Sequence, residues 1–321
     1  MLALYFDKDL HLQELPLPQP RSGEVLIRVA LAGICGTDLQ ILRGYHHFKG
    51  IMGHEFVGVV EGPADSSWLG QRVVGEINIA CGVCPRCRRG LARHCAQRQV
   101  LGLKDRDGVF APYLTLPEAN LHSVPPGLPD EMAVFTEPLA AALAVTTTAP
   151  HIATSQVLVI GDGALGLLTS WVLALHGAEV HLAGHYLEHL DLAKPYGVIT
   201  FLEKDLPGGN QDYDVVVEAS GSPSGLALAL RQVRPQGTVV LKSTYVDHYP
   251  LNPADLVVPE VKLAGSRCGP FPGALRLLSQ GWIDPRPLIA RRFFLAQGRE
   301  AVTWAGQAGV LKVLIDCGGG G

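Results

Sequence analysis

No stretch of this sequence approaches the roughly 20 consecutive apolar residues that a membrane helix needs, although 47% of the chain is hydrophobic. Charge is scarce in both directions. Only 17% of residues are charged and the formal net charge is -4, which excludes a general attraction to phosphate backbones or anionic membrane surfaces. The one local basic concentration, Arg86, Arg88, Arg89 and Arg93, reads as a solvated loop. The opening residues, MLALYFDKDLHLQELPLPQP, carry acids early and lack a basic start followed by an apolar core, so no secretory signal is expected. Low complexity is confined to Gly318 to Gly321. A cytoplasmic, reducing compartment follows as the expectation. There, seven cysteines are better explained as thiolate ligands or buried thiols than as disulfides.

What is there is a two-textured chain of 321 residues, longer than one typical domain. The first third alternates and is punctuated by Gly and Pro: Glu24 to Ala32, Phe56 to Val60 and Arg72 to Ile77 read as short strands of a small antiparallel barrel with functional loops. The texture changes at Pro129, where Asp130 to Thr147 reads as one Ala-rich helix with Asp at its cap. Strands then alternate with helices: Gln156 to Ile160, Ala164 to His176, Glu179 to Ala183, Val198 to Leu202, Asp214 to Glu218, Ser222 to Val233 and Gly237 to Lys242. That alternation predicts an α/β, doubly wound parallel sheet. The expected domains are residues 1–140, 141–268 and a segment 269–321 that rejoins the first.

Cys81, Cys84, Cys87 and Cys95 are spaced C-x2-C-x2-C-x7-C, close enough for four thiolates to surround one tetrahedral ion. An iron-sulfur cluster of ferredoxin type would want a three-residue last gap and a following proline, whereas Ala96 follows here. Four thiolates leave no open position, so this zinc is structural. Elsewhere Cys35 lies in GICGTD, His54 and Glu55 in GHE, and Glu137 in TEPLA. Each is weak alone. Together they offer the mixed thiolate, imidazole and carboxylate set that a catalytic zinc with an open fourth position requires.

GDGALG (Gly161, Asp162, Gly163, Ala164, Leu165, Gly166) follows a strand and opens a helix, the context that makes a G-x-G-x-x-G string a dinucleotide fingerprint. Beside the metal motifs, the dinucleotide is a nicotinamide cofactor. An NAD site usually carries an acid at the end of the second strand. That place falls at Gly184, followed by His185, with His189 one turn on. With no carboxylate there and two histidines able to contact a 2'-phosphate, NADP(H) is favoured over NAD(H), although the expected arginine is also missing.

The ordered motifs GICGTD, GHE, the four cysteines, EPLA, GDGALG, EASG, GSRCG and LKVLID resemble the zinc-containing medium-chain dehydrogenase/reductase family, nearest its sorbitol, threonine and polyol dehydrogenase branch. The resemblance runs over nearly the whole chain. It implies a GroES-like β-rich catalytic domain and a Rossmann domain, and an enzyme moving a hydride between an alcohol or polyol, or the matching carbonyl, and NAD(P) through zinc-alkoxide formation. It implies two zincs per chain, Cys35 and His54 as ligands of the catalytic ion, and either Glu55 or Glu137 as the third. Asp38 would accept the other ring N–H of His54, and Thr37 would pass the alcohol proton outward. Ser220, Gly221, Ser243 and Thr244 would line the nicotinamide end, and a homodimer or homotetramer is expected. Gln40 departs from the histidine that often continues the relay, leaving His46 and His47 as candidates for it. A catalytically silent, zinc-stabilised binding or scaffold protein of the same fold would be expected to lose these ligands first. A zinc-independent reductase of the fold should carry neither metal set. The substrate class is a small alcohol or carbonyl compound, with no nucleic-acid or membrane partner.

Overall fold

The computed structural model describes residues 1–149, 151–206 and 212–318, with the side chain of His46 outside the description. The chain divides into two compact units, Met1–Glu137 with Ala274–Gly321, and Pro138–Gly273. Among the described residues no helix is long and apolar enough to cross a membrane.

The first unit is organised on the strand Glu24–Gly33, whose alternation buries Val25, Ile27, Val29 and Leu31 on one face, as the period of a strand dictates. It pairs antiparallel with Glu55–Gly62, Tyr113–Pro117 and Lys312–Asp316. Arg72–Gly75 and Leu121–Ser123 extend the sheet beyond Glu55–Gly62. At the other side Ile289–Phe294 runs parallel to Lys312–Asp316. The register sets Gly33 opposite both Glu55 and Leu314, so the end of the central strand meets the GHE segment and the last strand together.

The second unit is a six-stranded, all-parallel sheet in the order Ile199–Leu202, Glu179–Gly184, Gln156–Ile160, Tyr213–Glu218, Val233–Leu241, Lys262–Gly265. In chain order this is 3-2-1-4-5-6, the doubly wound arrangement whose ligand crevice lies at the carboxyl ends of the strands, where the order reverses. Its near-continuous apolar strands, with Val157, Leu158, Val159 and Ile160 all inaccessible, are what a sheet covered on both faces requires.

The single helix expected over Asp130 to Thr147 is instead three pieces, Asp130–Ala133, Thr136–Leu143 and Val145–Thr148. Pro138 has no N–H to return to the preceding turn. The Thr136 hydroxyl donates to the Ala133 carbonyl at 2.7 Å, and a new helix starts at Thr136 with Glu137 in its first turn.

One glycine bears directly on the metal-ligand cluster. Gly53 has φ +89°, and a Cβ there would lie 2.5 Å from the Phe110 ring. Gly70 shares a positive φ of +76° but faces open space. Gly70→Ala is therefore expected to cost only backbone strain, about 1 kcal/mol, and Gly53→Ala that plus overlap, about 3 kcal/mol or more, measured by urea denaturation. Equal costs would show that Phe110 yields freely.

Candidate metal and dinucleotide sites

The helix Gly36–Leu42 begins at Cys35, whose backbone N–H donates to Asp38 Oδ2 at 2.8 Å. The other Asp38 oxygen stands 3.3 Å from His54 Nδ1, and both side chains are almost wholly buried. One carboxylate thereby fixes the N-terminus of a helix and the orientation of an imidazole, leaving His54 Nε2 to the cluster. Ligand atoms of Cys35, His54 and Glu55 all lie within 4.8 Å of one another. Burial disfavours charge on His54, but Asp38 and the Cys35 sulfur more than offset it and hold its pKa well above the usual histidine value. A metal ion bound here would take the place of that proton.

Glu55 completes the cluster through an ion pair that sequence reasoning missed. Lys312 Nζ donates to Glu55 Oε2 at 2.6 Å and to the Ile34 carbonyl at 3.0 Å. Lysine and glutamate are 5% and 1% exposed at their side chains. Desolvation opposes the ammonium, yet Glu55 and Cys35 raise its pKa above the ordinary lysine value. The second Glu55 oxygen, Oε1, is buried without a hydrogen-bond partner. An orphaned buried carboxylate oxygen beside a sulfur and an imidazole fits a divalent cation. Glu137, half-buried at the start of Thr136–Leu143, does not join this group. Thr37 Oγ1 lies 3.7 Å from Cys35 Sγ. His47 is exposed with φ +47°.

The four remaining cysteines of the metal motifs also converge. Sulfur separations are 3.5 Å for Cys84 to Cys87, 3.9 Å for Cys84 to Cys95 and 3.5 Å for Cys95 to Cys81. A disulfide needs about 2.05 Å, whereas a tetrahedron of sulfurs about 2.3 Å from zinc has edges of about 3.8 Å. Backbone N–H groups of Cys81 and Gln97 point at Cys95 Sγ, each at 3.3 Å. N–H groups led by that of Ala96 pull the Cys84 thiol down to about 6, while desolvation and the neighbouring sulfurs push Cys87 up to about 12. Without an ion the sulfurs cannot all ionise, and a divalent cation relieves that conflict.

In the second unit the glycine turn Gly161 to Gly166 leaves the strand Gln156–Ile160 and enters the helix Ala164–Leu175, whose N-terminus favours phosphate. After the next strand across, Glu218 Oε1 accepts from Ser220 N at 2.8 Å, Ser220 Oγ at 2.6 Å and Ser243 Oγ at 3.1 Å, and Ser243 Oγ accepts from Gly221 N at 2.8 Å. Glu218 thus organises the expected nicotinamide-end residues; its buried place in the quoted EASG motif was the available signal. Thr244 is exposed. Gly184 ends its strand as read, but the histidines differ in placement. His185 is 66% exposed and lies 3.5 Å from Glu203, while His189 is buried, its Nδ1 3.6 Å from Asp162 Oδ2.

Residues 21–126 match the model of the alcohol dehydrogenase GroES-like domain and residues 164–280 that of the zinc-binding dehydrogenases. The chain is 33% identical over 306 residues to an L-threonine 3-dehydrogenase of Pyrococcus horikoshii, covering 88% of this chain and 87% of that protein. Among solved structures, a protein assigned as a zinc-binding dehydrogenase from Sinorhizobium meliloti 1021, bound to NADP, superposes with TM-score 0.88 at 28% identity, over 98% of each chain. An alcohol dehydrogenase from Escherichia coli CFT073 complexed with NADH does so with TM-score 0.87 at 28% identity, again over 98% of each chain. The two donor clusters and the 3-2-1-4-5-6 sheet thus occur in a chain that belongs to the zinc-containing medium-chain dehydrogenase family, alcohol dehydrogenase-like and NAD(P)-dependent.

Proposed function

We propose that the chain holds two zinc ions, a structural one on Cys81, Cys84, Cys87 and Cys95 and a catalytic one on Cys35, His54 and Glu55, and acts on the carbinol carbon of an alcohol or polyol. The observation that carries this reading is the convergence of three unlike donors within 4.8 Å around a buried carboxylate oxygen with no protein partner. When bound there, zinc supplies the Lewis acidity that acidifies an alcohol or polarises a carbonyl.

The chain's own groups do the rest. Asp38 holds His54 so that Nδ1 is turned from the cluster, which fixes the tautomer a ligand needs. Lys312 binds Glu55 Oε2, so the carboxylate presents Oε1 while sharing its charge with an ammonium, which weakens it as a donor and makes it exchangeable. Glu137, at a helix start in the same unit, is the second carboxylate available for such an exchange. The Thr37 hydroxyl, 3.7 Å from Cys35 Sγ, is the first stage for a proton leaving the substrate, and Gln40 offers no titratable continuation. The coenzyme is a nicotinamide dinucleotide at the turn Gly161 to Gly166. The NADP(H) preference read from the bare strand end at Gly184 has to contend with the Asp162 carboxylate that reaches that place.

A cytoplasmic location is supported by the sulfurs of Cys81, Cys84, Cys87 and Cys95, whose Cys84 to Cys87, Cys84 to Cys95 and Cys95 to Cys81 separations are 3.5 to 3.9 Å, a spacing of metal ligands rather than of disulfides. A homodimer or a homotetramer is supported by the strand Lys262–Gly265, which ends the parallel sheet, carries exposed Leu263 and follows exposed Val257 and Val258 in the chain.

Metal analysis of the purified protein is expected to give two zincs per chain. Cys35→Ser or His54→Ala should remove one of them and lower alcohol oxidation by about 10^3-fold or more, the scale of several kcal/mol of Lewis-acid stabilisation, while nucleotide binding persists. Retained activity in either variant would refute the assignment. Cys84→Ser should remove the other zinc and reduce thermal stability. Lys312→Met strands a buried carboxylate. It should destabilise the zinc-free protein by about 3–5 kcal/mol and the zinc-loaded protein by less, because the metal then compensates Glu55. Equal losses in chemical denaturation with and without chelator would show that Glu55 does not meet the metal.

A further inference from the structure

The end of the second strand of the parallel sheet, where a dinucleotide fold ordinarily places an acid against the adenosine ribose, is Gly184 here. The space is not empty. A Cβ on Gly184 would lie 2.4 Å from both Cβ and Cγ of Asp162 and 2.7 Å from its Oδ2. Asp162 is the second residue of the glycine turn, and its side chain, 7% exposed, lies across the strand end. There Oδ2 accepts from the backbone N–H groups of His185 at 2.9 Å and Tyr186 at 2.8 Å. Glycine at 184 is what makes room for it. A carboxylate has been supplied to the ribose position from the neighbouring loop rather than from the strand.

Two physical consequences follow for a nucleotide in this crevice. Consecutive backbone N–H groups at a strand end form a ready anion cradle, and here both are taken by Asp162, so a 2'-phosphate would have to displace a carboxylate to use them. A phosphate monoester carries about -1.5 to -2 charges near neutral pH, and placing it beside a fixed, desolvated carboxylate is repulsive, whereas a 2'-hydroxyl can donate to the remaining oxygen, Oδ1. The two histidines of this segment are both directed to carboxylates. His185 is directed to Glu203 at 3.5 Å, and His189 is buried against Asp162 itself. The nearest lysine along the segment, Lys194, pairs with Asp191 at 2.5 Å.

We infer that Asp162, seated over Gly184 and bound to the N–H groups of His185 and Tyr186, is the specificity determinant that selects NAD(H) against NADP(H). This rests on the nicotinamide-dinucleotide reading of the glycine turn given above. It reverses the preference that the strand end alone suggests, because the deciding carboxylate lies outside that strand.

Direct titration of the zinc-loaded protein with NADH and with NADPH, followed by nucleotide fluorescence or calorimetry, tests it without recourse to turnover. The wild type should bind NADH more tightly by about tenfold to a hundredfold, the worth of one hydrogen bond to a charged group. Asp162→Ser, which vacates both N–H groups, should weaken NADH and strengthen NADPH. Asp162→Asn, nearly isosteric and still able to accept from the backbone, should lose most of the discrimination through charge alone and serves as the second variant should the serine protein fold poorly. A wild type that prefers NADPH, or variants whose NADH-to-NADPH ratio is unchanged, would overturn the inference while leaving the dinucleotide site intact. Binding of neither nucleotide would overturn the dinucleotide reading and the inference with it.

Discussion

An ammonium and a carboxylate that are both out of water must find each other, and around the Cys35 cluster the rest of the first unit is arranged so that they do. Lys312 and Glu55 are 257 residues apart in sequence. They meet because the last strand pairs with the end of the central strand, and the same end pairs with the GHE segment. A slip of one residue in the last strand would turn Lys312 to the opposite face and leave Glu55 as an uncompensated buried charge. The Ile34 carbonyl, second acceptor of the ammonium, belongs to the residue before Cys35. The ion pair therefore aligns two of the three donors of the cluster, and the site is complete only when the carboxyl-terminal segment is in place.

A shared device operates in the two units. In each, an aspartate is tethered by backbone N–H groups that follow a strand, and its charge acts beyond that tether. Asp38 Oδ2 accepts from Cys35 while Oδ1 faces His54. Asp162 Oδ2 accepts from His185 and Tyr186 and lies beside His189. Anchoring to main chain suits this purpose, since it fixes direction without the conformational freedom of a side-chain partner and leaves the second oxygen available.

What the sequence discloses depends on how local the chemistry is. The four-cysteine lobe spans fifteen residues and is carried by its spacing, and the glycine fingerprint spans six and is carried by its place between a strand and a helix. The alternating and apolar runs similarly announce a β-rich part and a doubly wound part. Lys312 is different: in LKVLID it is one cation opening an apolar strand, and nothing near it names Glu55. Whether Glu55 or Glu137 stands with Cys35 and His54 was undecidable from motifs, because both follow a plausible pattern and only strand register brings one of them close. The Asp162 carboxylate was counted with the glycine turn. Its reach to Gly184 is set by the parallel pairing of two strands that the sequence separates by a whole helix. The break at Pro138 was visible as a residue, yet the Ala-rich composition around it outweighed the missing N–H.

The sulfur tetrahedron of the lobe also has a covalent side. Four thiols held within 4.8 Å of one another, one of them with its pKa pulled down to about 6, are a nucleophile and its oxidation partners already assembled. A contraction of less than 2 Å separates Cys84 and Cys87, or Cys81 and Cys95, from a disulfide bond length. A metal ion in that tetrahedron would therefore be a protecting group as well as a clamp: while it stayed, the sulfurs would be ligands, and once it left in air the first disulfide would remove the donors that could recapture it. An ion lost under reducing conditions would find its four donors waiting, whereas one lost in an oxidant could return only after the disulfide had been reduced.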